Sequence, residues 1–461
     1  MNRRILALAI PSILANITTP LLALVDTAIA GHLGSDKYLA AIAVGGVMFN
    51  MLYWFFSFLR AGTSGLSAQA YGAGNSFASI LVLKRSMLVA FAAGLLMILL
   101  QTPIFRLMVW FLDADAATAS LASTYFHLLI FGAPAVLGNY AMSGWFLGMQ
   151  NSRMMLWVSL IINVVNIATS LLLVYGLDMG ITGIAGGTLV AQWTGFGAGF
   201  LFMKNYPGRK SGTESAPKVE NDHDAADMPH GVNASTAVLH VNSRQSWREL
   251  FKWEELKRFF KVNVDIMLRT VCLIMVTLWF TRAGSMQGSL ILAVNTLLMQ
   301  LFILFSYMMD GFAFAGEALV GRYIGAKDYK NMRLCVRRLF MWGAGWALLF
   351  TMLYFLGGEG LLGLLSDDIN VISTSREYFK WALTVPLAGF AAFAWDGVFI
   401  GATMTRGLLL SMFGAMIVFF VTYYLLYPSM GNHALWLAFV LYLLSRGLFQ
   451  TIIFRFHHFR L

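Results

Sequence analysis

The feature that most constrains this chain is a succession of apolar runs of about twenty residues, each able to cross ~30 Å of hydrocarbon at ~1.5 Å of helical rise per residue. Six fall near 5–31, 38–61, 82–105, 121–149, 154–176 and 182–203. Six more fall near 258–283, 288–314, 334–356, 374–401, 407–428 and 432–454. A spanning β-strand would show as an alternating segment of ~10 residues, and no such pattern is present. Of 461 residues 59% are hydrophobic and 12% charged, against about 25% charged in a soluble domain. The expected fold is an all-α integral membrane protein with twelve transmembrane helices. The N-terminal run contains Pro11, Asn16, Pro20 and Asp26 and is long for a cleavable signal, so it reads as a retained first span.

Charge separates the two sides. The net charge is +10, but the basic residues gather at alternate loops: Arg3 and Arg4, Lys84 and Arg85, Arg153, the stretch from Lys204 to Lys261, Lys327 to Arg338, Arg406, and Arg455 with Arg460. Intervening turns carry few bases and several acids, such as Asp113, Asp115, Asp367 and Asp368. That is the positive-inside pattern. It places both termini in the cytoplasm, requires an even number of spans, and argues against a nucleic-acid face. Cys272 and Cys335 lie in or beside apolar segments and read as packing residues.

The chain also repeats itself. Gly144-Trp145-Phe146-Leu147-Gly148 matches Gly397-Val398-Phe399-Ile400-Gly401 at an offset of 253, and Ala70-Tyr71-Gly72-Ala73 matches Tyr323-Ile324-Gly325-Ala326 at the same offset. Pro134 and Pro386 stand 252 apart, and Gly180-Ile181-Thr182-Gly183 lines up with Gly431-Asn432-His433-Ala434. Six spans separate the copies, so both keep one orientation, as two parallel pseudo-twofold six-helix lobes. Such repeats place a cavity between lobes whose rocking alternates access. The division is 1–203 for the N-terminal lobe, 204–257 for a polar cytoplasmic linker, and 258–461 for the C-terminal lobe. The linker ends in Ser246-Trp247-Arg248-Glu249, a capping box. Trp247, Leu250, Phe251 and Phe259 follow at helical spacing, which suggests a short interfacial helix. The linker histidines His223, His230 and His240 lack ligand spacing, so neither a metal centre nor a cofactor is expected.

Ionisable side chains inside hydrocarbon are costly, which makes each a functional candidate. Asp26 sits in a first span interrupted by Pro11 and Pro20. Asn16 and Thr18 are expected to satisfy the backbone groups freed there. An unpaired carboxylate in such a helix suits reversible binding of H⁺ or Na⁺. Asp265 precedes Arg269 by four residues, so an intrahelical ion pair is expected. Asp310 and Asp396 have no local cation. Glu317 lies close enough to a span end for solvation or pairing with Arg322. Asn163, Asn166 and Ser170 recur at helical spacing, and Thr188 lies in the next span. Neutral oxygens of this kind either complete a cation shell around Asp26 or join helices.

With these residues in view, the chain resembles the multidrug and toxic compound extrusion (MATE) family, in its DinF-like branch. The resemblance rests on the first-span string with Pro11, Asn16, Pro20 and Asp26 followed by Gly31-His32-Leu33, and on Asp265-Ile266-Met267-Leu268-Arg269. It rests also on Tyr307-Met308-Met309-Asp310-Gly311-Phe312, on Asp396 through Thr403, and on Gly431 through Trp436. It covers nearly the whole chain apart from the linker. It implies a V-shaped pair of lobes and cation-coupled efflux of amphipathic, often cationic, organic compounds from a monomer in the inner membrane. It further implies Asp26 as coupling carboxylate with Asn166, the Ser170 position and Thr188 around it, a transient Na⁺ being the alternative to H⁺. Pro11 would be where the first helix bends. Much of this branch carries Asp at the Ser170 position, and the loss of that charge here favours protonation over Na⁺. The family also implicates C-lobe acids, among which Asp396 matches best.

Two other readings compete. A lipid-linked precursor or polysaccharide flippase would show a strongly cationic central cavity, for which only Arg269 and Arg60 stand out. A lipid-modifying membrane enzyme would need a water-accessible acid/base or metal cluster, and no such motif is present.

Overall fold

A computed structural model describes residues 1–31, 36–112, 116–205 and 249–456. These residues form helices with no strand among them. In the first half, α1 is Asn2–Gly31, α2 Asp36–Phe55, α3 Phe58–Gly72, α4 Ser76–Leu99 and α5 Gln101–Leu112. They are followed by α6 Ala116–Leu129, α7 Ala133–Gly148, α8 Ser152–Leu171 and α9 Gly180–Lys204. In the second half, α10 is Trp253–Ser285, α11 Ser289–Gly325, α12 Tyr329–Leu365, α13 Ile369–Gly401, α14 Thr405–Met430 and α15 Asn432–Phe456. Ten of the resulting rods are long and apolar enough to cross a membrane. Together with α1 and α9 they make the expected twelve.

The rods run longer than hydropathy alone indicates. The second continues past a break at Phe56–Ser57 to Gly72, and the eighth, α11, continues to Gly325 rather than ending near 314. Small residues explain both extensions. Gly62, Ser64, Gly65 and Ala68 on α3, with Ala313, Ala315, Gly316 and Ala318 on α11, are polar or weakly hydrophobic yet buried. These segments lie against other helices, so they need no long apolar side chains to face lipid.

The duplication is visible in the backbone. Positive-φ residues recur as Gly74 with Lys327, Gln150 with Thr403, and Asp178 with Gly431, each pair 253 positions apart. The last pair moves the expected alignment of that turn by two residues, since Gly431 answers Asp178 and not Gly180. The crossings obey the same relation. A Cβ on Gly72 would fall 1.9 Å from the Arg322 carbonyl oxygen, and one on Gly325 would fall 2.0 Å from that of Gln69. Within the halves, Gly144 meets the Arg60 carbonyl at 2.2 Å and Gly397 the Ala313 carbonyl at 2.1 Å by the same measure.

The halves therefore meet where α3 and α11 end, and polar contacts gather around that crossing. Gln69 Nε2 donates to the Gly401 carbonyl at 2.9 Å and to Thr403 Oγ1 at 3.1 Å. Gln150 Nε2 donates to the Ala318 carbonyl at 2.7 Å, Arg258 to Gln69 Oε1 at 3.1 Å, and Arg4 to the Tyr323 hydroxyl at 3.2 Å. Between α2 and α10 the halves leave an apolar cavity of about 340 Å³ lined by Met51, Trp54, Phe55, Val271, Met275 and Leu278, among others.

Ser246–Arg248 of the expected capping box lie outside the described residues. The residues that follow are tied to the first half. Buried Arg85 of α4 donates to the carbonyls of Leu250 at 3.0 Å and Glu249 at 2.7 Å. Lys252 then breaks the helical path before α10 begins at Trp253.

Replacing Gly72 or Gly325 by Ala should destabilise the protein by about 1–3 kcal/mol, since the methyl group collides with backbone and not with a flexible side chain. The control is Gly197→Ala, where nothing lies within 4 Å of the added atom. Thermal unfolding in detergent reads the difference, and equal melting of all three variants would contradict the crossing.

Candidate functional site

Two clusters of buried polar side chains stand out, one in each half. The first lies where α1, α8 and α9 meet. Asp26 is 6% exposed, and Thr188 Oγ1 donates to its Oδ2 at 3.3 Å. Asn166 Nδ2 in turn donates to Thr188 Oγ1 at 2.8 Å, so the threonine's single proton points onward to Asp26 and the Ile184 carbonyl. Ser170 lies one turn beyond Asn166, against Gly187, where any Cβ would meet its Oγ at 2.2 Å. Asp26 Oδ1, Asn166 Oδ1 and Ser170 Oγ are buried without a hydrogen bond. Leaving such a group unsatisfied costs about 1–3 kcal/mol. This corner therefore gathers two of them beside a carboxylate that is itself the third, with only one of its oxygens committed.

The helix that brings Asp26 here keeps its helical path through both prolines. The Ala7 carbonyl, four residues before Pro11, is met by Ser152 Oγ of α8 at 3.4 Å. The expected help from Asn16 and Thr18 is not what serves it. Thr18 lies too far along the helix, donating to Ala15 at 2.7 Å and meeting Ser159 Oγ at 2.5 Å. Asn16 and Pro20 are half-buried. Asn163 also stays outside the corner, donating to the Ser159 carbonyl of its own helix at 2.8 Å. His32 and Leu33 lie outside the described residues.

The second cluster is centred on Asp396 of α13. Its Oδ2 accepts from both Arg269 of α10 and Arg446 of α15, and its Oδ1 accepts from Gln450 Nε2 at 2.8 Å. Here the expected Asp265–Arg269 pair is overturned. Asp265 Oδ2 instead accepts from Thr405 Oγ1 at 2.8 Å, and Arg269 reaches across to Asp396. An exposed i,i+4 pair contributes only about 0.2–0.5 kcal/mol, whereas a charge buried without a partner costs several. The buried carboxylate thus claims the arginine. Asp396, which has no cation nearby in sequence, is the most heavily paired acid among the described residues.

A third pair joins the halves. Glu317 of α11 is 1% exposed and receives Arg60 of α3 at 3.1 and 3.3 Å. It is neither solvated nor paired with Arg322, because α11 extends past it and small residues bring α3 alongside. Asp310, on the same helix, is half-buried within electrostatic reach of Arg60, Arg269, Arg446 and Asp396. Sequence reasoning overlooked Arg446 and Gln450, although an arginine inside the run 432–454 met the same test that singled out the acids. Among the described residues, Arg60, Arg269 and Arg446 are matched by Glu317, Asp396 and Asp310, so these arginines form no strongly cationic cluster.

A duplicated bundle of this kind, with ionisable groups buried at helix crossings, has the architecture of a membrane transporter. The MatE family pattern matches twice, at residues 11–172 and 264–425. The DNA damage-inducible protein F of Escherichia coli K12 is 35% identical over 98% of this chain and 91% of its own length. A probable multidrug resistance protein NorM of Acinetobacter baylyi is 23% identical over 91% of this chain and 88% of its own. A solved MATE structure in the bent conformation superposes with a TM-score of 0.80 at 17% identity, covering 99% of this chain and 95% of that one. The chain belongs to the MatE family, whose members are multi-pass membrane transporters and not enzymes.

Asp396→Asn should cost about 3–5 kcal/mol of stability, because two buried guanidinium groups lose their anion. Adding Arg446→Leu to that variant should recover part of the loss. Thermal unfolding of the two variants checks this, and an unaltered melting temperature in Asp396→Asn would contradict the pairing.

Proposed function

We propose that the protein is a cation-coupled secondary antiporter of the inner membrane. It exports amphipathic organic compounds by alternating access, with Asp26 as the coupling carboxylate and H⁺ favoured over Na⁺. The observation that carries this reading is the half-committed state of Asp26. Thr188 occupies Oδ2, Oδ1 makes no hydrogen bond, and the unsatisfied oxygens of Asn166 and Ser170 belong to the same corner. With Thr188 donating to Oδ2, Oδ1 is the oxygen left open to a proton. In the second half Asp396 has both oxygens engaged, and Asp265 holds Thr405. Asp396 thus lacks the free oxygen that a cycling cation requires, and Asp265 is less buried than Asp26.

Proton is favoured over Na⁺ by charge. A hard cation takes several oxygen ligands, preferably anionic ones. The Asp26 corner offers a single carboxylate, since residue 170 is serine. Sodium, if carried, would rest on Asp26, Asn166 and Thr188. Coupling requires only that H⁺ and the exported compound prefer opposite states of the lobes. The Acinetobacter baylyi relative is described as a probable multidrug resistance protein, which supports small organic molecules as substrates. With both termini cytoplasmic, the joined ends of α3 and α11 are also cytoplasmic. Pro11 and Pro20 supply bending points in α1, and the protein works as a monomer.

In proteoliposomes, an imposed pH gradient should drive dye export, and an equal Na⁺ gradient should not. Asp26→Asn should lower proton-driven export by at least about a hundredfold, the lower end of what losing a single essential proton-transfer group costs. Its melting temperature should remain near that of the parent. Undiminished export by Asp26→Asn would overturn the assignment of the coupling residue.

A further inference from the structure

Arg60 is held at both ends by different halves of the molecule. Its backbone begins α3 just after the break at Phe56–Ser57, and α7 presses on its carbonyl through Gly144. Its guanidinium lies 3.9 Å from the centre of the Phe314 ring and grips Glu317 of α11 with two nitrogens. The acid is 1% exposed. Among the described residues, no other ion pair links α3 to the second half. Rocking the halves apart at the Gly72–Gly325 crossing pulls Arg60 away from Glu317. A separated, buried pair is unfavourable unless the charge finds a new partner.

A partner stands on the same helix. Asp310 precedes Glu317 by two turns, about 10 Å along the same face of α11. It has no ion pair among the described residues, and Arg60 is one of the charges acting on it. The other two arginines acting on it, Arg269 and Arg446, are both bound to Asp396.

We propose that Arg60 is a positioning residue that passes between two acids of α11. It is latched to Glu317 while the halves are joined and received by Asp310 when they separate. The cation thus stays compensated through the transition, and the sliding of α3 along α11 becomes a movement between two discrete stations. This rests on the alternating-access reading above, but the latch is tested by distances and needs no transport.

Spin labels at Ala73 and Lys330, both exposed near the crossing, report the separation of the halves. Cys272 and Cys335 are buried and remain unlabelled. Glu317→Gln should raise the separated population on the order of tenfold. The exchange Arg60→Glu with Glu317→Arg should return the distances to those of the parent. Export should nevertheless stay low in the exchanged protein, because Glu at position 60 is repelled by Asp310, and adding Asp310→Arg should restore it. Asp310→Asn alone should slow export about tenfold with the resting distances unaltered, a split between rate and population that a merely structural role would not produce. Unchanged distances in Glu317→Gln would overturn the latch. Full export by the exchanged pair with Asp310 intact would overturn the relay. If the parent exports nothing, the distance results still decide the latch, so its failure is distinct from failure of the antiport reading.

Discussion

The close crossing of α3 and α11 at Gly72 and Gly325 is the contact on which the arrangement of the two halves depends. Each glycine lies against a backbone carbonyl of the opposite helix, at distances that leave no room for a side chain. Because the two contacts are exchanged by the repeat, they form a self-complementary joint, with the pseudo-twofold axis passing between them. The glutamine contacts to Gly401, Thr403 and Ala318 surround this joint, and the latch from Arg60 to Glu317 closes over it. A helix crossing so tight sets how closely the halves approach, since neither backbone can be pressed closer and small side chains offer little to interlock.

Around this joint the chain distributes its buried charge unevenly. At the repeat offset Asp26 answers Trp279, Asp310 answers Ser57, Glu317 answers Ser64 and Asp396 answers Ser143. In the second half Asp396 is held by two arginines and Glu317 by Arg60 of the first half, while Asp265 takes a hydroxyl and Asp310 has no ion pair among the described residues. The first half leaves one carboxylate with neutral oxygens for company. In a low-dielectric setting these arrangements differ in kind, because a carboxylate held by two guanidinium groups has its charge compensated where it sits. One held by a single hydroxyl retains the option of neutralising itself.

Much of the Asp26 corner was legible beforehand. Asn166 and Ser170 stand one helical turn apart, so they share a face on any helix, and Thr188 follows across a short turn to the antiparallel neighbour. Those relations are local and survive whatever else the chain does. The Asp265–Arg269 pairing was local as well, yet it yielded to Asp396, more than a hundred residues away, because the stronger demand lay in the interior. Glu317 was misplaced for a related reason. Hydropathy ends a span where large apolar residues stop, whereas α11 continues through small residues that serve helix contact.

Sequence alone determined that the chain lives in a bilayer, that its elements are helices, that they come in two copies of one orientation, and which side chains cannot be there without purpose. Apolar run length, charge asymmetry and a fixed offset are properties of the chain read along itself, and hydrocarbon leaves no alternative way to satisfy the backbone. Only the tertiary structure decided which charge answers which. A side chain in a helix reaches three or four residues along its own strand of sequence, but in the interior its partner is chosen by how helices cross. Those crossings are set by glycines whose only contribution is the space they leave.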